Sequence, residues 1–265
     1  MPKVVKTKVE KDLKNSVSGL LGELGGFKKF IKTGEVVFLK PNFNTADPFP
    51  ASTDLEFLKA VVELVYEAGA KLVMIGESST VSLNTRKIME EKGVFALQES
   101  ETPPRVYIFE EGKWLKKPIP NSQYLKSVSL PEILSRVDKL ILLPCLKTHK
   151  QAQFTGSLKL SIGLVRPRER VPIHLRDLQE KIAELNKVIQ PDLIIMDARK
   201  CFINQGPSHG EVREPGLVLA STDRVAIDVE GIRIIQGYQG NSLNELEPFE
   251  LPQIKKAIEF GIGKV

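Results

Sequence analysis

The stretch LILLPCLKTHKQAQFTGSLKLSIGLVRPRERVPIH, Leu140 to His174, decides how the rest of the chain is read. It opens on an apolar run, Leu140 to Leu143, of the length and character of a strand buried on both faces. Pro144-Cys145-Leu146-Lys147-Thr148-His149 then comes straight off that run. Thr155-Gly156 is placed to open a helix carrying Lys159, with free N–H groups at its start suited to an anion. The segment holds two of the three histidines and one of the two cysteines in the chain. Scarce reactive side chains gathered where a buried strand ends point to a ligand site.

Three other apolar runs share the pattern. Val36 to Leu39 ends in Lys40-Pro41-Asn42-Phe43-Asn44. Leu72 to Ile75 ends in Gly76-Glu77-Ser78-Ser79-Thr80. Leu193 to Met196 ends in Asp197, with Cys201 shortly after and then a tight loop, Asn204 to Gly210. Amphipathic stretches lie between and after these runs: Asp54 to Ala68, with Asp54 in a capping position, Asn84 to Lys92, His174 to Val188, Asp223 to Ile235, and Pro252 to Phe260. In the third of these, Leu175, Leu178, Ile182 and Leu185 share one face.

Strand–helix alternation predicts an α/β fold: a mostly parallel open sheet with helices on both faces. Arg105 to Pro131 breaks the rhythm and reads as a small inserted β-hairpin or meander turning near Gly112. A single α/β domain over residues 1–265 is expected, two lobes divided near 121–138 being the alternative.

Bulk properties narrow the function classes. Hydrophobic residues make up 42% of the chain, enough for a sizeable core. The net charge of +5 is scattered, with no basic tail or aromatic ladder, so a nucleic-acid partner is not expected and a small anionic ligand is. Two cysteines make no disulfide framework, and the opening MPKVVKTKVEKDLK lacks the apolar core of a leader. No run approaches a membrane span, so a cytoplasmic protein without membrane association is expected. A homodimer rests on base rate alone.

In open parallel sheets, ligands collect beyond the carboxyl ends of strands. Lys40, Lys147 and Arg168 are candidate cations for a carboxylate or phosphate, and Asn42 adds an amide. Gly76 to Thr80 is hydroxyl-rich but lacks the Gly-Lys-Ser/Thr ending of a phosphate-binding P-loop. Each element has a bland reading too, as turn or cap. Cys145 and Cys201 both follow strands and offer an alternative, a metal or iron–sulfur redox module, although two thiols are too few for a four-cysteine cluster. His209 has no assigned role.

KPNFN at Lys40, GES at Gly76, KTH at Lys147, TG-x-x-K-x-x-x-G from Thr155 to Gly163, His174, the later Gly206-Pro207 and His209, and ASTDRVAID from Ala220 together resemble the family catalogued as domain of unknown function 362. The resemblance runs from about Val36 to about Gly237. Some members of that family carry ferredoxin-like iron–sulfur segments, but no Cys-x-x-Cys run is present here. More distantly, His149, Thr155-Gly156, Lys159, Gly163 and His174 resemble the core of the nickel-pincer lactate racemase family.

That second resemblance implies an enzyme, racemase/isomerase-like or an oxidoreductase, acting on a hydroxy acid. His149 would exchange a proton with the substrate, Lys159 would anchor a nickel-carrying nucleotide, with Thr155, Gly156, Lys40 and Asn42 around it, and His174 would ligate the metal. Lys147 would join the catalytic set. The racemases place a second catalytic histidine where this chain has Gly76 to Thr80, leaving Glu77 as the candidate base.

Overall fold

The computed structural model describes residues 3–264. From the amino end come β1 (Val5–Lys8), α1 (Leu13–Gly22), β2 (Val36–Lys40), α2 (Leu55–Glu67), β3 (Leu72–Glu77) and α3 (Thr85–Glu91). They are followed by β4 (Arg105–Ile108), β5 (Trp114–Pro118), β6 (Ser127–Pro131), β7 (Lys139–Leu142), β8 (Cys145–His149) and β9 (Gln153–Thr155). Next are α4 (Ser157–Leu160), α5 (Pro167–Leu175), α6 (Leu178–Leu185), β10 (Leu193–Phe202) and β11 (Val212–Arg213). The last elements are β12 (Leu217–Ser221), α7 (Arg224–Gln236) and α8 (Pro252–Glu259).

The main sheet runs β1-β12-β10-β7-β2-β3-β4, with β11 and β8 also on β10 and β9 on β8. Its centre, β10-β7-β2-β3-β4, is parallel throughout. β12 and β1 close one edge in antiparallel fashion. The alternation along each strand explains the two layers. Val37, Leu39, Val73, Ile75, Ile141 and Ile195 pack under α1, α2 and α3. Phe38, Met74, Leu140, Leu142, Ile194 and Met196 face the layer built from α4 to α8. Apolar burial on both faces is why these strands read as unbroken apolar runs. The expected Asp54 cap is present: its carboxylate accepts from the Phe57 N–H at 3.1 Å.

Four local expectations need correction. Pro144 to His149 is not simply the segment after a strand end: Pro144 interrupts the run, and Cys145–His149 forms a further strand, β8, alongside β10, with Cys145 opposite Asp197. The run at Leu193 does not stop at Met196 but continues to Phe202, so Asp197 and Cys201 lie within a strand. The stretch from His174 to Val188 is not one helix. Asp177 adopts a left-handed conformation with φ of 50°, splitting α5 from α6. Leu175 consequently is 75% exposed while Leu178, Ile182 and Leu185 are buried. Finally, the inserted hairpin between Arg105 and Pro131 is present, but it does not turn near Gly112. β4 joins the main sheet beside β3, and β5 pairs with β6 in a separate two-stranded antiparallel sheet.

Gly76 in β3 is fixed by packing. A Cβ there would overlap the rings of Phe38 and Phe109, which stack with centroids 5.9 Å apart. We expect Gly76→Ala to lower stability by about 1–3 kcal/mol through overpacking, read as a reduced midpoint in urea unfolding.

Candidate functional site

The carboxyl ends of β2 and β3, the β8–β9 hairpin, α4 and α5 surround a cavity of about 450 Å³. Lys40, Asn42, Glu77, Lys147, His149, Thr155, Lys159 and His174 all line it. Of the predicted site residues, Gly156 is absent from the wall. Arg168 is exposed and also absent; Arg170, two residues on, is buried and faces the cavity. The helical phase of α5 separates them, which a basic loop read from sequence does not reveal. His209 is exposed and outside the wall, although Pro207 and Ser208 of its loop contribute.

Lys40 and Glu77 sit at the ends of neighbouring parallel strands, 1% and 2% exposed, with Lys40 Nζ 2.6 Å from Glu77 Oε1. Both carboxylate oxygens are further engaged. Oε1 accepts from the Ser78 N–H at 2.9 Å and Oε2 from the Phe43 N–H at 2.7 Å. Lys40 also donates to the Pro41 carbonyl at 2.6 Å. Gly163 lies against this pair: a Cβ there would stand 2.9 Å from Lys40 Nζ. Glu77 is therefore a tethered counter-charge that shapes the loops after both strands. Burial pulls the Lys40 pKa down, and the Glu77 charge beside it pulls the other way.

Among the described residues, no carboxylate pairs with the other cations of the cavity. Lys147 is buried and donates to the Ala51 carbonyl. Burial pushes its pKa down to about 8. Arg170 clasps four main-chain carbonyls: Ser78 and Ser79 at 2.8 Å, Val165 at 2.7 Å and Gly163 at 3.0 Å. Lys159, half-buried on the short α4, has no hydrogen-bond or ion-pair partner among the described residues. Burial, then the charges of Lys147 and Arg170, bring its pKa down to about 7. Thr155 Oγ1, on the same wall, is buried and unpartnered.

The two histidines are held in opposite senses. His149 Nδ1 accepts from the main-chain N–H groups of Gln151 and Ala152, both at 3.1 Å. The neutral ring therefore carries its hydrogen on Nε2. Burial first, then the positive charges of Lys159 and Lys147 and the neighbouring His174, depress its pKa to about 2. His174 Nδ1 lies 2.8 Å from the Arg170 carbonyl one turn earlier, and because a carbonyl only accepts, Nδ1–H donates. Its Nε2 lone pair is left bare. Burial, the largest influence, lowers the His174 pKa as well. One imidazole offers a donor and the other an acceptor.

The N–H groups at the start of α4 are not free for an anion, as the sequence suggested they would be. Asp228 of α7 reaches across and accepts from Ser157 N–H at 2.6 Å and Leu158 N–H at 3.0 Å. Gly156 makes this approach possible, since a Cβ would overlap the Asp228 carboxylate. Burial lifts the Asp228 pKa to about 7. Asp228 falls in the ASTDRVAID run, but nothing in its sequence context shows that it caps a helix seventy residues away.

The two thiols do not share a pocket. Cys145 lies beside Thr53 and Asn42, and Cys201 packs in the apolar layer with α7 and α8. Neither lines the cavity, and burial raises their pKa values to about 11 and about 12. Among the described residues, no three His, Cys, Asp or Glu side chains converge as a metal-ligand set. No helix among them is long and apolar enough to cross a membrane.

The Lys40–Glu77 pair yields a direct test. Glu77→Gln leaves an uncompensated buried ammonium and removes the carboxylate from two N–H groups, at a cost of about 3–5 kcal/mol. Adding Lys40→Met should recover part of that loss, measured by a double-mutant cycle in chemical denaturation.

A thylakoid-associated protein of Synechocystis sp. is 31% identical over 256 residues, covering 94% of this chain and 75% of that protein. Among solved structures, the lactate racemase apoprotein from Thermoanaerobacterium thermosaccharolyticum aligns with a TM-score of 0.44 at 14% identity, over 78% of this chain and 50% of that one. A protein from Thermotoga maritima aligns with a TM-score of 0.44 at 11% identity, over 96% and 60%. The chain thus spans half to three-fifths of the length of these two solved chains. The model of one family matches residues 37–233, and the chain belongs to that family, described as domain of unknown function (DUF362).

Proposed function

We propose that the cavity binds a small organic anion, a carboxylate or phosphate, and performs proton chemistry on it between His149 and His174. The observation that carries this reading is the charge imbalance. Lys40, Lys147, Lys159 and Arg170 face one cavity, and Glu77 is the one carboxylate among the lining residues. Buried cations without counter-ions are costly, and an anionic ligand relieves that cost.

The roles follow from the hydrogen-bond senses. His149 Nε2–H donates to a carbonyl or hydroxyl oxygen of the ligand. His174 Nε2 accepts a proton, its ring aligned by the Nδ1–H bond to Arg170. Lys147 and Lys159 fix the anionic group, and Asn42 and Thr155 add neutral contacts. A 2-hydroxy acid, with a carboxylate beside a hydroxyl, matches this set. Glu77 serves as the counter-charge of Lys40 rather than as a base, because its oxygens are already engaged.

The nickel-carrying nucleotide that the racemase resemblance implies is compatible with the residues present. With that group bound, Lys159 would hold it through its free amine and leave the anion to Lys147, and His174 would meet the metal through Nε2 in place of taking a proton, its Nδ1–H already oriented by a carbonyl as in many metal sites. When bound, that group supplies hydride chemistry at the substrate carbon. Intact-mass and metal analysis of protein from its native source checks it: added mass mapping to Lys159 is expected, and an unmodified, nickel-free chain overturns that part of the proposal.

Anion binding itself has a distinctive pH signature. With pKa values lowered to about 7 and about 8, Lys159 and Lys147 lose charge as pH rises, so affinity for lactate, whose own charge is constant across the window, should fall, about tenfold, between pH 6.5 and 8.5 in titration calorimetry. Stability of the ligand-free protein should move the other way. Both lysines bind fewer protons when folded than when unfolded across this window, so their contribution to unfolding free energy rises with pH. A pH-independent affinity would remove the lysines from the site.

A further inference from the structure

Five large hydrophobic side chains are conspicuously exposed among the described residues: Val81 at 48%, Leu83 at 44%, Val171 at 53%, Leu175 at 75% and Val212 at 41%. Three of them, Val81, Val171 and Leu175, line the same cavity as the buried lysines. Leu83 lies in an adjoining surface groove that shares Thr45 with the cavity wall. The concentration is local, and it inverts the usual arrangement of an apolar floor and a polar rim. Here the floor is cationic and the mouth is apolar.

Two separate segments build the mouth. Val81 and Leu83 follow β3, just beyond the hydroxyl-rich Ser78 to Thr80. Val171 and Leu175 stand on the outer face of α5, which Arg170 clamps by donating to the carbonyls of Ser78 and Ser79. The clasp therefore holds the two apolar segments on the wall of one opening. His174 sits between Val171 and Leu175 in sequence and also lines the cavity.

Resting on the anion-site reading above, we infer that the ligand is an amphiphile: an acid group held by the buried lysines, with an alkyl or prenyl chain leaving across Val81, Val171 and Leu175. Charge complementarity selects this occupant. Of the cations that would recognise the acid, Lys147 is 2% exposed and Lys159 half-buried, both on the wall of a cavity, where the head of one molecule reaches and a flat lipid surface does not. Three or four side chains are also far short of the ~800 Å² per partner that a stable protein interface buries.

The test is a chain-length series on the full chain, below micelle formation. Butyrate, hexanoate, octanoate and decanoate, and the matching alkyl phosphates, are titrated by calorimetry at pH 6.5. Affinity is expected to rise roughly fourfold per methylene until the tail clears the rim. Leu175→Asp, at an exposed position whose folding is checked by thermal melting, should flatten that slope; Val171→Asp is the independent second variant. Binding of the short acids with no gain along the series would overturn the amphiphile and leave the anion site standing. Binding of none of the acids, butyrate and inorganic phosphate included, would sink the anion-site reading itself. Retention on phosphatidylglycerol vesicles without uptake of the monomeric alkyl phosphates would overturn the inference in favour of a membrane surface.

Discussion

Lys40 and Glu77 meet with both charges out of water, and the rest of the site is arranged around that meeting. Neighbouring parallel strands bring the two side chains to the same end of the sheet. The carboxylate then reaches past its partner to two main-chain N–H groups, so the chain after β2 and the chain after β3 must both turn where they do. A buried pair of this kind adds little net stability compared with apolar packing, but an alternative loop conformation would strand a charge. Its effect is on uniqueness. Gly163 completes the constraint from the other side, because only a residue without a side chain lets α4 and the turn after it approach the ammonium.

The two imidazoles show how main-chain geometry assigns chemical sense. Identical side chains become donor and acceptor because one accepts N–H bonds from a hairpin turn and the other donates to a helix carbonyl. Neither assignment needs a carboxylate partner. Burial first, and the surrounding cations after it, lower the pKa of both rings, so both are biased toward the neutral form that these bonds orient.

Much of this was legible in the sequence, for identifiable reasons. Strands buried on both faces leave unbroken apolar runs, and the polar residues that end such runs are the ones a parallel sheet collects at one edge. Lys40, Glu77, Lys147 and His149 could be gathered that way. What escaped depended on where a helix or strand breaks. A single residue, Asp177 in a left-handed conformation, split a well-patterned helix and moved His174 from a first turn to a last one. The choice between Arg168 and Arg170 depended on helical phase, which the flanking prolines obscure. Asp228 escaped because its partners lie far away in sequence, and no local pattern encodes a cap supplied from another helix. The exposed leucine and valines at the mouth escaped for the opposite reason: in sequence they look like core.

The β8–β9 hairpin has one more support. Gln253 of α8, fully buried, donates its amide to the carbonyls of Ala152 and Phe154, inside the turn that orients His149. The residues it holds precede it by about a hundred positions. As the chain leaves the ribosome, the strands, the lysines and both imidazoles emerge well before this brace does. The turn that holds His149 is thus secured only when α8 docks, and a nascent or proteolytically clipped chain lacking that helix would keep its sheet residues but not a fixed His149.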